Sequence, residues 1–183
     1  MKVPGCYSDW VNCFEQFKEG TNDQKLLEAM QSGSIEWSSG VAERLTQRLY
    51  DVISYRINSN NDVLQRELDR CNGDETAIVK ALLSARRRLA ILQQLADLQA
   101  FPENVREAMS KTIEDYAAST QESLEKSALS DPTGRLRMLI KNNALTQLHQ
   151  VENIFHNQNA SIQPDENLSP NGFKSKRRRV ILP

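Results

Sequence analysis

The chain has 183 residues, a formal net charge of -1 and a mean hydropathy of -0.58, with 39% hydrophobic and 26% charged residues. That length suits one domain with appendages, and seven Gly and six Pro are too few to punctuate a fold of many strands and turns. The near-neutral total leaves no bulk field to gather nucleic acid, and no run of about 18 apolar residues offers a membrane span. The composition points to an all-α fold, an antiparallel bundle of about six or seven helices with a flexible C-terminal tail.

In chain order, the first helix is expected from Ser8, as N-cap, to Glu19, closed by Gly20. Trp10, Cys13, Phe14 and Phe17 fall at i, i+3, i+4 and i+7 and form one apolar face. A second helix is expected over 23–32, with Leu26, Leu27 and Met30 inward. Ile35 and Trp37 lie between Gly33 and Gly40 and are expected to lie over the core as a lid. Residues 41–58 read as a third helix on Val41, Leu45, Leu49, Val52, Ile53 and Ile57. The polar run Asn58-Ser59-Asn60-Asn61 reads as a break, followed by a fourth helix over 62–71.

A long fifth helix is expected over 75–98 with Asp74 as its cap, and a sixth from Pro102, in its first turn, to about Ser130. Asp131-Pro132-Thr133-Gly134 is a turn. The last helix is expected over 135–156, bent or interrupted at Asn142-Asn143. The domain reading is therefore a bundle over 1–156, with 1–58 as a candidate N-terminal subdomain. A disordered linker over 157–173 and a linear motif over 174–183 complete it.

Few residues carry chemistry. Cys6, Cys13 and Cys71 are odd in number and include no CxxC pair, which fits a reducing compartment. With no signal peptide evident at the N-terminus, the expected location is cytoplasmic, or nuclear in a eukaryote. His149 and His156 are seven apart, and neither HExxH nor a third ligand accompanies them. No GxxxxGK[ST], GxGxxG or GxSxG appears. Acid pairs such as Glu122 with Glu125 read as solvated helix faces. The expectation is a protein with no enzymatic activity, no cofactor and no metal.

Two basic clusters remain. Lys174, Lys176, Arg177, Arg178 and Arg179 precede Val180, Ile181 and Leu182. Removing those five cations leaves 18 basic against 24 acidic residues, a body of formal charge -6. The cations can meet phosphates or steer the apolar triplet onto a partner, and the cluster is also similar to a nuclear import signal. Arg86, Arg87 and Arg88 point about 100° apart on a helix, so they cannot share one face. Arg86 should flank the core stripe and snorkel or pair with an acid. The triplet is weighed both as internal ion pairs and as phosphate contacts. A helix-turn-helix over Leu26–Ile57 is disfavoured, because its turn is long and Arg44, Gln47, Arg48 and Arg56 are a thin set of base readers.

The expected function is a non-catalytic interaction protein, an adaptor, regulator or assembly subunit. It would join a protein partner, or a second copy, through the helical body and the basic docking tail. The alternative is a nucleic-acid-associated regulator that holds phosphates through the tail and the arginine triplet.

Overall fold

The computed structural model describes residues 2–35 and 37–148. Among these residues are six α-helices, a short 3-10 turn and no strand. The helices are α1 (Tyr7–Glu19), α2 (Asp23–Gln31), α3 (Ser39–Arg70), α4 (Glu75–Ala96), α5 (Glu103–Ser127) and α6 (Arg135–Asn142). The linker over 157–173, the motif over 174–183 and both histidines lie outside the described residues.

α1 forms on the expected apolar face, and Trp10, Cys13, Phe14 and Phe17 are all buried. Its N-cap is Cys6 rather than Ser8. Cys6 is extended, and the nearby Asp9 carboxylate accepts from the Gly5 amide. At the other end Gly20 adopts φ 75°, and its amide donates to the Phe17 carbonyl at 3.1 Å. That left-handed residue lets the chain reverse at once into α2.

The break expected at 58–61 does not exist, because α3 runs unbroken for 32 residues, a rod of about 48 Å. Asn and Ser cost a helix only about half a kcal/mol each relative to Ala, and neither Gly nor Pro is present to stop it. Burial on either side outweighs that cost, with Ile53, Ile57 and Leu64 all in the core. Asn60 is itself buried, and its Oδ1 accepts from Arg88 Nε on α4 at 2.6 Å. The polar run is part of a helix interface.

α4 packs against α2, α3, α5 and α6, which makes it the central helix. Asp74 caps it as expected, its Oδ1 accepting from the Thr76 amide at 2.9 Å. Pro102 stands just outside α5 rather than in its first turn. Its ψ of 148° is extended, and its carbonyl accepts from the Val105 and Arg106 amides. This position lets the preceding Phe101 enter the core.

α6 stops at Asn142, where interruption was expected. Asn143 Nδ2 folds back onto the Leu139 carbonyl at 2.9 Å, closing the last turn. Beyond it Leu145 and Leu148 are buried. Gln121, buried on α5, ties this stretch down, since its Oε1 accepts from the Leu145 amide at 3.1 Å.

One apolar cluster extends from Trp10 to Leu148. Its aromatic end is built around Phe101, whose ring lies 5.7 Å from Trp10, 6.3 Å from Phe14 and 6.2 Å from Trp37. The N-terminal aromatics therefore share their core with the α4–α5 connection. Trp37 is half-buried, and its Nε1 donates to the Ala100 carbonyl at 2.8 Å. Trp10 Nε1 donates to the Ser34 carbonyl at 3.1 Å. A Cβ on Gly33 would stand 2.7 Å from Trp10 and 2.8 Å from Pro4, so only glycine allows this approach. No helix among the described residues is long and apolar enough to cross a membrane.

Candidate interaction surface

The three consecutive arginines of α4 diverge as helix geometry requires. Arg86 is only 6% exposed, and its Nη1 donates to Gln147 Oε1 at 3.2 Å. The expected snorkelling or acid pairing is not found, since the hydrogen-bond partner among the described residues is a neutral amide. Its Nε has no partner there. Burial, with the neighbouring Arg87 charge, holds its pKa below the ordinary arginine value. Arg88 is half-buried and spans three partners: Asn60, Ser84 Oγ at 2.8 Å and Glu67 at 3.3 Å. Arg87 is exposed and has contacts of its own. Two of the three guanidinium groups thus face the α3 interface or the stretch after α6.

Above this network, Tyr116 is half-buried, and its hydroxyl makes no hydrogen bond among the described residues. The Thr120 side chain beside it falls short of bonding geometry. Burial pushes the phenol pKa up, opposed by Thr120 and by the positive field of Arg88.

The polar residues of α3 that suggest a DNA reader are largely occupied. Arg56 grips Asp23 with both Nη atoms, at 3.1 and 2.7 Å, and also donates to the Phe17 carbonyl. It lies 5.1 Å from the Phe17 ring centroid. This pair is 11% and 12% exposed and locks α3 to the α1–α2 corner. Arg44 Nε donates back to the Gly40 carbonyl, Gln47 donates to Asp51, and Arg48 lies 3.6 Å from Glu15.

The face made by α3, α5 and α6 is different in kind. Two adjoining hollows, of about 250 and 230 Å³, share Gln65, Leu68 and Leu124. The first is floored by Ile78, Leu82, Leu136 and Ile140. The second is rimmed by Ser119, Thr120 and Ser123. Asp69, in the first, accepts from Gln65 at 2.8 Å and is the charged side chain that lines them. The result is a groove with an apolar floor at one end that passes into a polar, hydroxyl-rich and largely neutral end. On the elements that form one wall, Leu129 is 64% and Met138 66% exposed.

Sequence reasoning missed this groove. Leu129 and Met138 stand outside the apolar stripes of their helices, and an isolated off-stripe aliphatic residue gives no sign of a shared surface. Helical phase turns Met138 outward, about 200° from both Leu136 and Ile140.

The cysteines are all free. Cys6 is exposed, whereas Cys13 and Cys71 are buried. Burial, reinforced by Asp9, raises the Cys13 thiol pKa. Among the described residues no three His, Cys, Asp or Glu side chains gather as a metal site. Comparison with protein-family models, with curated proteins and with solved structures finds no match to this chain.

Proposed function

We propose that this chain is a non-catalytic interaction protein that docks a protein partner in the α3–α5–α6 groove, with the basic motif at 174–183 as a second contact. The observation that carries this reading is the apolar floor of the groove, with Leu129 and Met138 exposed on the outer side of the 3-10 turn and α6 that supply one wall. Leaving large aliphatic side chains in water forgoes roughly 1.5–3 kcal/mol each relative to burying them. Two such residues on the outer side of the elements that wall an apolar floor suit a partner that covers α6 as well as the groove. The neutral rim favours an amphipathic helix that presents two or three aliphatic side chains and few charges. The cations of 174–183 would then speed encounter with an acidic stretch of the same partner.

The test compares partner recovery by the full chain, by L129E/M138E, by a 1–173 truncation and by N12E, a control charge on the exposed face of α1. The reading expects one protein recovered by the full chain and by N12E, bound tenfold or more weakly by L129E/M138E, and weakened also by truncation. Equal recovery by L129E/M138E would overturn it. Salt-sensitive binding of mixed-sequence DNA or RNA, lost on truncation, would put the nucleic-acid alternative in its place.

A further inference from the structure

Asn60 and Arg88 also border a separate hollow of about 230 Å³, bounded by the end of α1, the middle of α3 and α4. Lys18, Tyr55, Arg56 and Ser59 complete its polar wall, with Glu19, Gly20 and Leu92. Lys18 Nζ stands 4.9 Å above the Tyr55 ring, which is 51% exposed.

Donors outnumber acceptors here. Asn60 is 2% exposed, and its Nδ2, with two N–H groups, has no partner among the described residues. The orientation of this amide is dictated by Arg88, because a flipped amide would set N–H against N–H at 2.6 Å. The Arg88 guanidinium uses three of its five N–H groups on Asn60, Ser84 and Glu67, and Arg56 uses three on Phe17 and Asp23. Two remain on each. Glu67 and Asp23 offset the charges of these arginines, and Glu19 is an acid in the same lining as Lys18. The hollow is therefore rich in unmatched donors rather than strongly positive. A buried amide N–H without an acceptor carries a desolvation cost that a bound oxygen would recover.

We infer that this hollow binds the oxyanion group of a small molecule, a phosphoryl or carboxyl group. Asn60 Nδ2, Lys18 Nζ and the spare N–H groups of Arg56 and Arg88 donate to its oxygens, and the Tyr55 ring walls its body. The volume lies below the roughly 300–1,000 Å³ of drug-sized sites, so the ligand is small. Ser59 supplies a hydroxyl that can donate or accept as the ligand requires. The inference is independent of the groove on α3, α5 and α6.

The test is a titration of the full chain, at constant ionic strength, with inorganic phosphate and separately with benzoate, following the side-chain amide signals of Asn60 by NMR. A saturable shift at Asn60 with at least one probe is expected. Phosphate alone identifies a phosphoryl ligand, and benzoate alone a carboxyl ligand. N60D keeps an oxygen for Arg88 while removing both free donors, so it should weaken binding at least about tenfold, read in wild type and variants alike from the backbone amide signals of Ser59 and Gly20. K18Q, on a half-buried residue at the rim, should weaken it in the same direction without changing Tm. No saturable shift with either probe would overturn the proposal, as would wild-type affinity in both variants. Water alone would then satisfy Asn60.

Discussion

Asp23 and Arg56 hold one of the most deeply set ion pairs of the described residues, and its energetics are asymmetric. Removing one partner leaves a desolvated charge, whereas replacing both by apolar groups removes the burden. D23A should therefore cost about 3 kcal/mol in urea unfolding, and D23L/R56M should cost clearly less than D23A alone. A smaller loss in the single variant than in the double would contradict the geometry. The thiols give a second check. Cys6 should react with a disulfide reagent at once, with Cys13 and Cys71 reacting only as the protein opens. Cys13 and Tyr116 both have raised pKa values, so the folded state holds their protons more tightly than the unfolded chain does. Their contribution is fully present below the ordinary values of 9.0 and 10.0 and fades as pH rises through the folded values. Stability should consequently fall on the alkaline side of pH 9, and the Tyr116 absorbance change should come above the ordinary value of 10.0.

At the scale of elements, α3 carries the sharpest contrast between exposed and buried polar residues. Asn58, Ser59 and Asn61 face solvent mid-helix, so N58A, S59A and N61A should each stabilise by about 0.5 kcal/mol through helix propensity alone. N60A should instead destabilise, because it strips Arg88 of its shortest hydrogen bond. Had the run been a loop, the four replacements would have behaved alike. The helix pattern was legible here, and the joint was not. Apolar residues at spacings of three and four declared the helices on both sides. That Asn60 would find Arg88 depended on how α4 packs, which no local spacing encodes. The same limit applies to Arg86. Its place beside the core stripe followed from Leu82 and Leu89, yet its amide partner Gln147 lies 61 positions away. The stop at Asn142 was readable, since paired asparagines compete with the helix for their own carbonyls. The groove was unreadable, because its floor comes from α3, α4, α5 and α6 together.

Across the whole molecule, the aromatic end is closed by packing, whereas the groove is left unfilled. Phe101 joins Trp10, Phe14 and Trp37, so F101A should cost about 3–5 kcal/mol and loosen the N-terminal helices with the rest. Tryptophan fluorescence and helical circular dichroism should report one coincident unfolding transition. Two transitions would mean that the N-terminal helices form a core of their own. Leu129 and Met138 belong to neither this aromatic cluster nor the rest of the core, so charges placed there should leave the fold intact. The central claim is that this face, rather than the arginine triplet, meets a partner. It is tested most directly by placing a photo-crosslinking side chain at position 129, with position 12 as control, in the full chain. The expected result is one protein adduct from position 129, none from position 12, and loss of that adduct when Met138→Glu is added. An adduct that persists unchanged with Met138→Glu, or equal adducts from both positions, would contradict the claim.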